Sequence, residues 1–98
     1  MQIDYKTKKL EEACTNAAIA RKMYGKSMAY KIHQRIDEIS AADTVETLVQ
    51  SGIGHCHPLK GNRQGQYAMN LVQPYRLIFI IKGENIEIAE IQEIVDYH

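Results

Sequence analysis

The sequence lacks most of what would take a chain out of the cytoplasm. No run approaches the ~20 apolar residues of a membrane helix. The opening MQIDYKTKKLEEAC has no apolar core of the kind a secretory signal carries. Cysteine is scarce: Cys14 and Cys56 are the two present, too few for a disulfide framework and expected as reduced thiols in a cytoplasmic protein. Proline is confined to Pro58 and Pro74, which leaves the first half open to helices. Net charge is zero, 12 basic against 12 acidic residues, so the chain as a whole is not a cationic surface made for phosphate. Repeats, low-complexity runs and linkers are absent. The 98 residues make one domain, 1–98, around a single core.

One further absence is local. No Asp or Glu occurs from 47 to 83, a stretch holding Lys60, Arg63, Arg76 and Lys82 with His55 and His57. The next residues carry Glu84, Glu87, Glu90, Glu93 and Asp96. Charge is therefore segregated along the chain, with the cations collected where the functional residues are sought.

What is present has two periods. A short strand is expected over 2–6. Thr7 precedes a helix whose face carries Leu10, Cys14, Ala17, Ala18 and Arg21, and Gly25 ends it. Ser27 is a candidate cap for a second helix with the stripe Met28, Ile32, Ile36 and Ile39. Asp43, three residues before Glu46, suggests a further capped turn, and 51–54 reads as loop. From 57 onward the pattern alternates. A short edge strand at 57–60 leads through a glycine-rich turn to a strand carrying Tyr67, Met69 and Leu71. After Pro74, residues 75–81 are apolar on both phases beyond Arg76, the mark of a central strand. Residues 82–85 form a hairpin turn, and a change of phase in the last strand predicts a bulge near Ala89 and Glu90. The expected fold class is α+β: an N-terminal helical hairpin packed on a small, mostly antiparallel twisted sheet.

Three segments carry the chemistry: His57-Pro58-Leu59-Lys60-Gly61, then Gly65-Gln66-Tyr67 followed by Arg76-Leu77-Ile78-Phe79, then the terminal Asp96-Tyr97-His98. Metal-free RNA cleavage uses the 2′-hydroxyl as nucleophile on the adjacent phosphorus. It needs a base for that hydroxyl, cations for the phosphate and an acid for the leaving oxygen. Histidine as a residue type serves either proton role near neutral pH. Arginine offers two donors to a phosphate, lysine a point charge. Asp96 can orient an imidazole, and Tyr97 can stack on an unpaired base. Each also has a plain structural role open to it: His57 beside a proline, Arg76 paired with Asp96 or Glu93, Tyr97 packed at an edge, His98 as a chain end.

In order and spacing these segments resemble the HigB-type killer toxins of the RelE/ParE toxin superfamily. The resemblance covers the last forty or so residues in motif and the first half in layout. It implies a toxin of a type II toxin–antitoxin system that cleaves messenger RNA on the ribosome, with no cofactor and no metal. Its catalytic pattern falls on His57, Asp96, Tyr97 and His98, the two histidines sharing acid and base work without assignment. Its phosphate-binding positions fall on Lys60 and Arg76, beside which Arg63 is the further basic candidate. The implied partners are a cognate antitoxin, HigA-like and of helix-turn-helix type, and mRNA on the ribosome. The alternative is a non-catalytic relative that binds a protein such as gyrase, or only its antitoxin. The chain departs from the pattern in its neutral charge, in Gln73-Pro74-Tyr75, in Cys56 and in its acidic last strand.

His55-Cys56-His57 is the rival motif. Alternation puts the two histidines on one face and Cys56 on the other. Two ligands fall short of the four a zinc site takes, so Cys14 or His33 would have to join through the fold.

Overall fold

The structure is a computed structural model and describes residues 1–96. Strand β1 (Gln2–Tyr5) is followed by helices α1 (Lys8–Thr15), α2 (Ala17–Tyr24), α3 (Lys26–Ala41) and α4 (Val45–Ser51). Strands β2 (His57–Pro58), β3 (Gln66–Asn70), β4 (Tyr75–Lys82) and β5 (Ile88–Asp96) complete the α+β fold.

The sheet order is β1-β5-β4-β3-β2. Three pairings are antiparallel, and β1 runs parallel to β5. β4 is the central strand, as its doubly apolar pattern predicts, and the sheet is mostly antiparallel, as expected, with one parallel pair. Among the described residues, no helix is long and apolar enough to cross a membrane.

The odd positions of β3 and β4 face the helices. Met69, Leu77, Phe79 and Ile91 are fully buried with Ile32 and Ile39 of α3 and Leu48 of α4. Burying each such side chain contributes about 1.5–3 kcal/mol before entropy is charged against it. Tyr67 stacks on Phe79 with ring centroids 5.7 Å apart.

Four local expectations are corrected. The first helix is not continuous: Asn16 interrupts it, accepting hydrogen bonds at Oδ1 from the N–H groups of Ala18 (3.0 Å) and Ile19 (3.1 Å). An asparagine competes with the helix for backbone donors and caps a new one instead. Ala17 and Ala18 consequently lie exposed, while Ala13, Cys14 and Ala20 are buried. The N-terminal half is thus α1 followed by the α2–α3 pair, rather than a simple hairpin. Ser27 is not a cap, because Gly25 at φ +89° turns the chain in one residue and α3 starts at Lys26. Thr44, not Asp43, caps α4, accepting from the Thr47 N–H at 3.3 Å, and the Val45 N–H donates to Glu87 Oε1 at 2.8 Å.

The bulge, finally, lies at Gln92 rather than near Ala89. Phe79 pairs with Ile91 and Ile78 with Glu93, which leaves Gln92 as the extra residue. Ile88 and Ile91 need no bulge between them, because the sheet also carries apolar side chains on its other face. Beyond Gln92 the phase is reversed: Ile94 packs on the core and Glu93 turns to the face opposite the helices.

Candidate functional site on the helix-free sheet face

Registered pairs share a face of a sheet, so the pairing defines rows on the side away from the helices, three of which concern the site. His57, Ala68, Ile78 and Glu93 form the middle row. Asn70, Arg76 and Val95 form the next. Gln66, Ile80, Glu90 and Asp4 form the third. Strands lie about 4.8 Å apart, so His57 and Glu93 stand at the ends of a row about 14 Å across.

Ala68 and Ile78 are fully buried on this face, outside the main core cluster. Arg63, from the turn before β3, reaches over them. Its Nη1 donates to Gln66 Oε1 at 3.0 Å, and its Nη2 lies 2.8 Å from Glu93 Oε1. Gln66 is on β3 and Glu93 on β5, so the guanidinium crosses the intervening β4. The Arg63–Glu93 contact is an ion pair by distance without a directed hydrogen bond to Oε1.

His57 is held from behind. Its Nδ1 lies 2.7 Å from the carbonyl oxygen of His55. A carbonyl only accepts, so Nδ1 carries the proton and, in the neutral ring, Nε2 keeps the lone pair. His55 adopts φ +53°, rare for a residue with a side chain, and its ring lies 4.8 Å from that of His57.

The loop before His57 is anchored by a buried cation. Arg35 of α3 donates from Nε to the Asn70 carbonyl at 2.7 Å and pairs through Nη1 with Glu38 at 2.8 Å. Asn70 sits opposite Arg76, and its Oδ1 is buried with no hydrogen-bond partner among the described residues.

The predicted residues are therefore brought together in part. His57, Arg63 and Arg76 share the helix-free face. Lys60 lines a cavity of about 530 Å³ with Pro58, Gln64, Gln66, Tyr67 and Ile81, at the sheet edge, where Gln66 is a helix-free position and Tyr67 and Ile81 are helix-side ones. Asp96 ends the described chain opposite Tyr75, one pair beyond Arg76 and Val95. Tyr97 and His98 lie outside the described residues. Gln66, Asn70 and Arg35 are additions, and Glu93, named from the sequence as a possible partner of Arg76, lies against Arg63. Gln66 and Asn70 were detectable as the polar phase of an alternating strand; the bulge decides the face that Glu93 takes.

Lys82 is taken up elsewhere. Its Nζ lies 2.8 Å from Glu90 and 3.0 Å from Asp4. The hydrogen bond from Lys82 holds the Glu90 carboxyl below its usual range, and the same bond raises the lysine. Cys56 is buried, and burial pushes its thiol up to about 11, which keeps it protonated and unreactive at neutral pH. Among the described residues no three metal-ligating side chains come together.

This arrangement, a five-stranded mixed sheet with helices packed on one face, has solved counterparts. The chain has the fold of the YoeB/ParE toxins. It superposes on the YoeB/ParE toxin from Agrobacterium tumefaciens with a TM-score of 0.69 at 15% identity, over 100% of both chains. It superposes on YoeB in the YoeB-YefM complex from Staphylococcus aureus with a TM-score of 0.64 at 22% identity, over 100% of this chain and 97% of that one. The Staphylococcus aureus YoeB dimer gives 0.63 at 22% identity, with the same coverage. By sequence, the chain matches no family model and no curated protein.

Proposed function

We propose that this chain is the toxin of a type II toxin–antitoxin system, of the HigB killer type, and that it cleaves messenger RNA on the ribosome. The observation that carries the reading is the His57 ring, fixed through Nδ1 by the His55 carbonyl and standing on the same helix-free face as Arg63 and Arg76. The toxin fold and the order of the motifs support it.

In this reading His57 Nε2 takes the proton of an RNA 2′-hydroxyl. The oxygen attacks the adjacent phosphorus, the P–O5′ bond breaks, and the 5′ oxygen leaves with a proton from an acid. His98 is the proposed acid, Asp96 orients an imidazole, and Tyr97 stacks on a base. Arg76 and Arg63 hold the phosphate, where charge develops. Lys60, at the neighbouring cavity, meets the RNA farther along. No metal or cofactor is assigned a role. The proposed partners are mRNA on the ribosome and a HigA-like, helix-turn-helix antitoxin; the solved YoeB-YefM complex of a structural neighbour supports a protein partner.

The second reading is a non-catalytic toxin that binds a protein. The neutralised cations favour it: Lys82 is tied to acids and Arg63 to Glu93. Brief induction in bacteria, with mapping of new mRNA 5′ ends, separates the two. A nuclease gives new ends inside translated regions, in register with codons. They are absent for His57→Gln and for a chain lacking Tyr97 and His98. A folded, toxic protein that produces no new ends is the protein-binding type.

A further inference from the structure

Arg63 is the cation most directly over the site, and an acid of the chain itself already occupies it. A regular β5 would turn residue 93 toward the helices. The extra residue Gln92 reverses the phase and puts Glu93 on the site face, 2.8 Å from Arg63 Nη2. Bulges beside functional sites commonly re-aim one side chain in this way. The pairing closes the row opposite His57, over the Ala68–Ile78 floor.

The contact has the properties of a releasable one. Both side chains are partly exposed, 33% for Arg63 and 44% for Glu93, and at the contact the buried Glu93 Oε1 is held by charge without a directed hydrogen bond. Such pairs are weak. A phosphate offers the same guanidinium directed, charge-assisted bonds in a bidentate arrangement. Gln66, which accepts from Nη1 at 3.0 Å, keeps the arginine over β4 while its other nitrogen changes partner.

We propose that Glu93 is a built-in counter-ion for Arg63, an autoinhibitory contact that an RNA phosphate displaces on binding. The idea rests on the RNA-binding part of the function proposed above. It makes Arg63 a phosphate ligand whose strength is set by an acid on β5, across the intervening β4, rather than by its neighbours in sequence.

The test uses the full chain and a single-stranded RNA oligonucleotide with 2′-O-methyl groups, which cannot be cut by this chemistry. Binding is read by fluorescence anisotropy across a salt series. Glu93→Gln should bind about two- to five-fold more tightly, with a salt slope steeper by up to about 0.7, one more phosphate contact on a single strand. The gain should vanish in an Arg63→Gln background. An equal gain with and without Arg63 would reduce Glu93 to general surface charge and overturn the proposal. So would unchanged affinity, or no RNA binding by any variant. A variant that binds no tighter but cuts far less would make Glu93 a catalytic carboxylate instead. New 5′ ends for wild type with no gain in Glu93→Gln sink the counter-ion alone; a gain without any new ends sinks the nuclease reading alone.

Discussion

Gly54 lies flat against Arg35: a Cβ built at Gly54 would stand 2.7 Å from Arg35 Nε and 2.9 Å from Cζ. From this glycine, three residues ahead of His57 in the sequence, the guanidinium runs on to the Asn70 carbonyl. Gly54 also holds φ +59°, a conformation that costs other residues about 1–2 kcal/mol. Gly54→Ala should therefore destabilise the fold by on the order of 2–3 kcal/mol, strain and overpacking together. Urea unfolding measures this. An unchanged midpoint would mean that Arg35 yields without cost and does not brace the His57 loop.

Asn16 makes two helices where the apolar pattern reads as one. Asn16→Ala removes the acceptor of two backbone N–H groups and should cost about 1 kcal/mol. Partial fusion of α1 and α2 would offset some of that loss, because alanine favours helix. Thermal unfolding gives the size of the effect, and helix content by circular dichroism tells fusion from fraying.

Alkaline pH should destabilise the protein. Burial raises the Cys14 thiol from 9.0 to about 12 and the Cys56 thiol from 9.0 to about 11. Tyr5 rises from 10.0 to about 12, chiefly by burial. These groups keep their protons in the folded chain at pH values where the unfolded chain has lost them. Their stabilising contribution is thus complete below pH 9 and is lost as pH rises through 11–12. The melting temperature should fall steadily above pH 9, with a shallower fall in Cys56→Ala. Equal slopes for the two proteins would show that Cys56 ionises alike folded and unfolded.

His57→Gln and Arg76→Ala should lose RNA cleavage while remaining folded. The histidine variant should lose on the order of 10²-fold or more if the ring is the base. Its side chain is only partly buried, so the melting temperature should change little. Full cleavage by a folded Arg76→Ala protein would remove Arg76 from the mechanism.

Much of the fold was legible because it follows from period and composition. The doubly apolar run after Arg76 identifies the central strand, and the stripe from Met28 to Ile39 identifies the helix that covers it. The turns at Gly25 and Gly83 follow from glycine and its neighbours. The break at Asn16, the Thr44 cap and the bulge at Gln92 were misread or missed. Each depends on a backbone donor choosing between partners, and the competing partners differ by about 1 kcal/mol. The site was legible to the same depth. His57, Arg63 and Arg76 could be named as residue types in a suggestive order, and alternation sets the face of Arg76. Glu93 could be named as a partner for an arginine of the site, but its pairing with Arg63 could not be read, because a single extra residue in β5 inverts every side chain beyond it.

The sequence by itself determined the α+β class, the single core and the segregation of charge, since these follow from which residues are apolar, where they recur and how acids and bases are spaced. Only the tertiary structure decided what that charge does. Pairing antiparallel β5 beside β4 lays the acidic tail along the basic stretch, so Glu90 meets Lys82 and Glu93 meets Arg63. Partners far apart in sequence come within 3 Å because strand register fixes neighbours by hydrogen bonding and side-chain phase, not by distance along the chain.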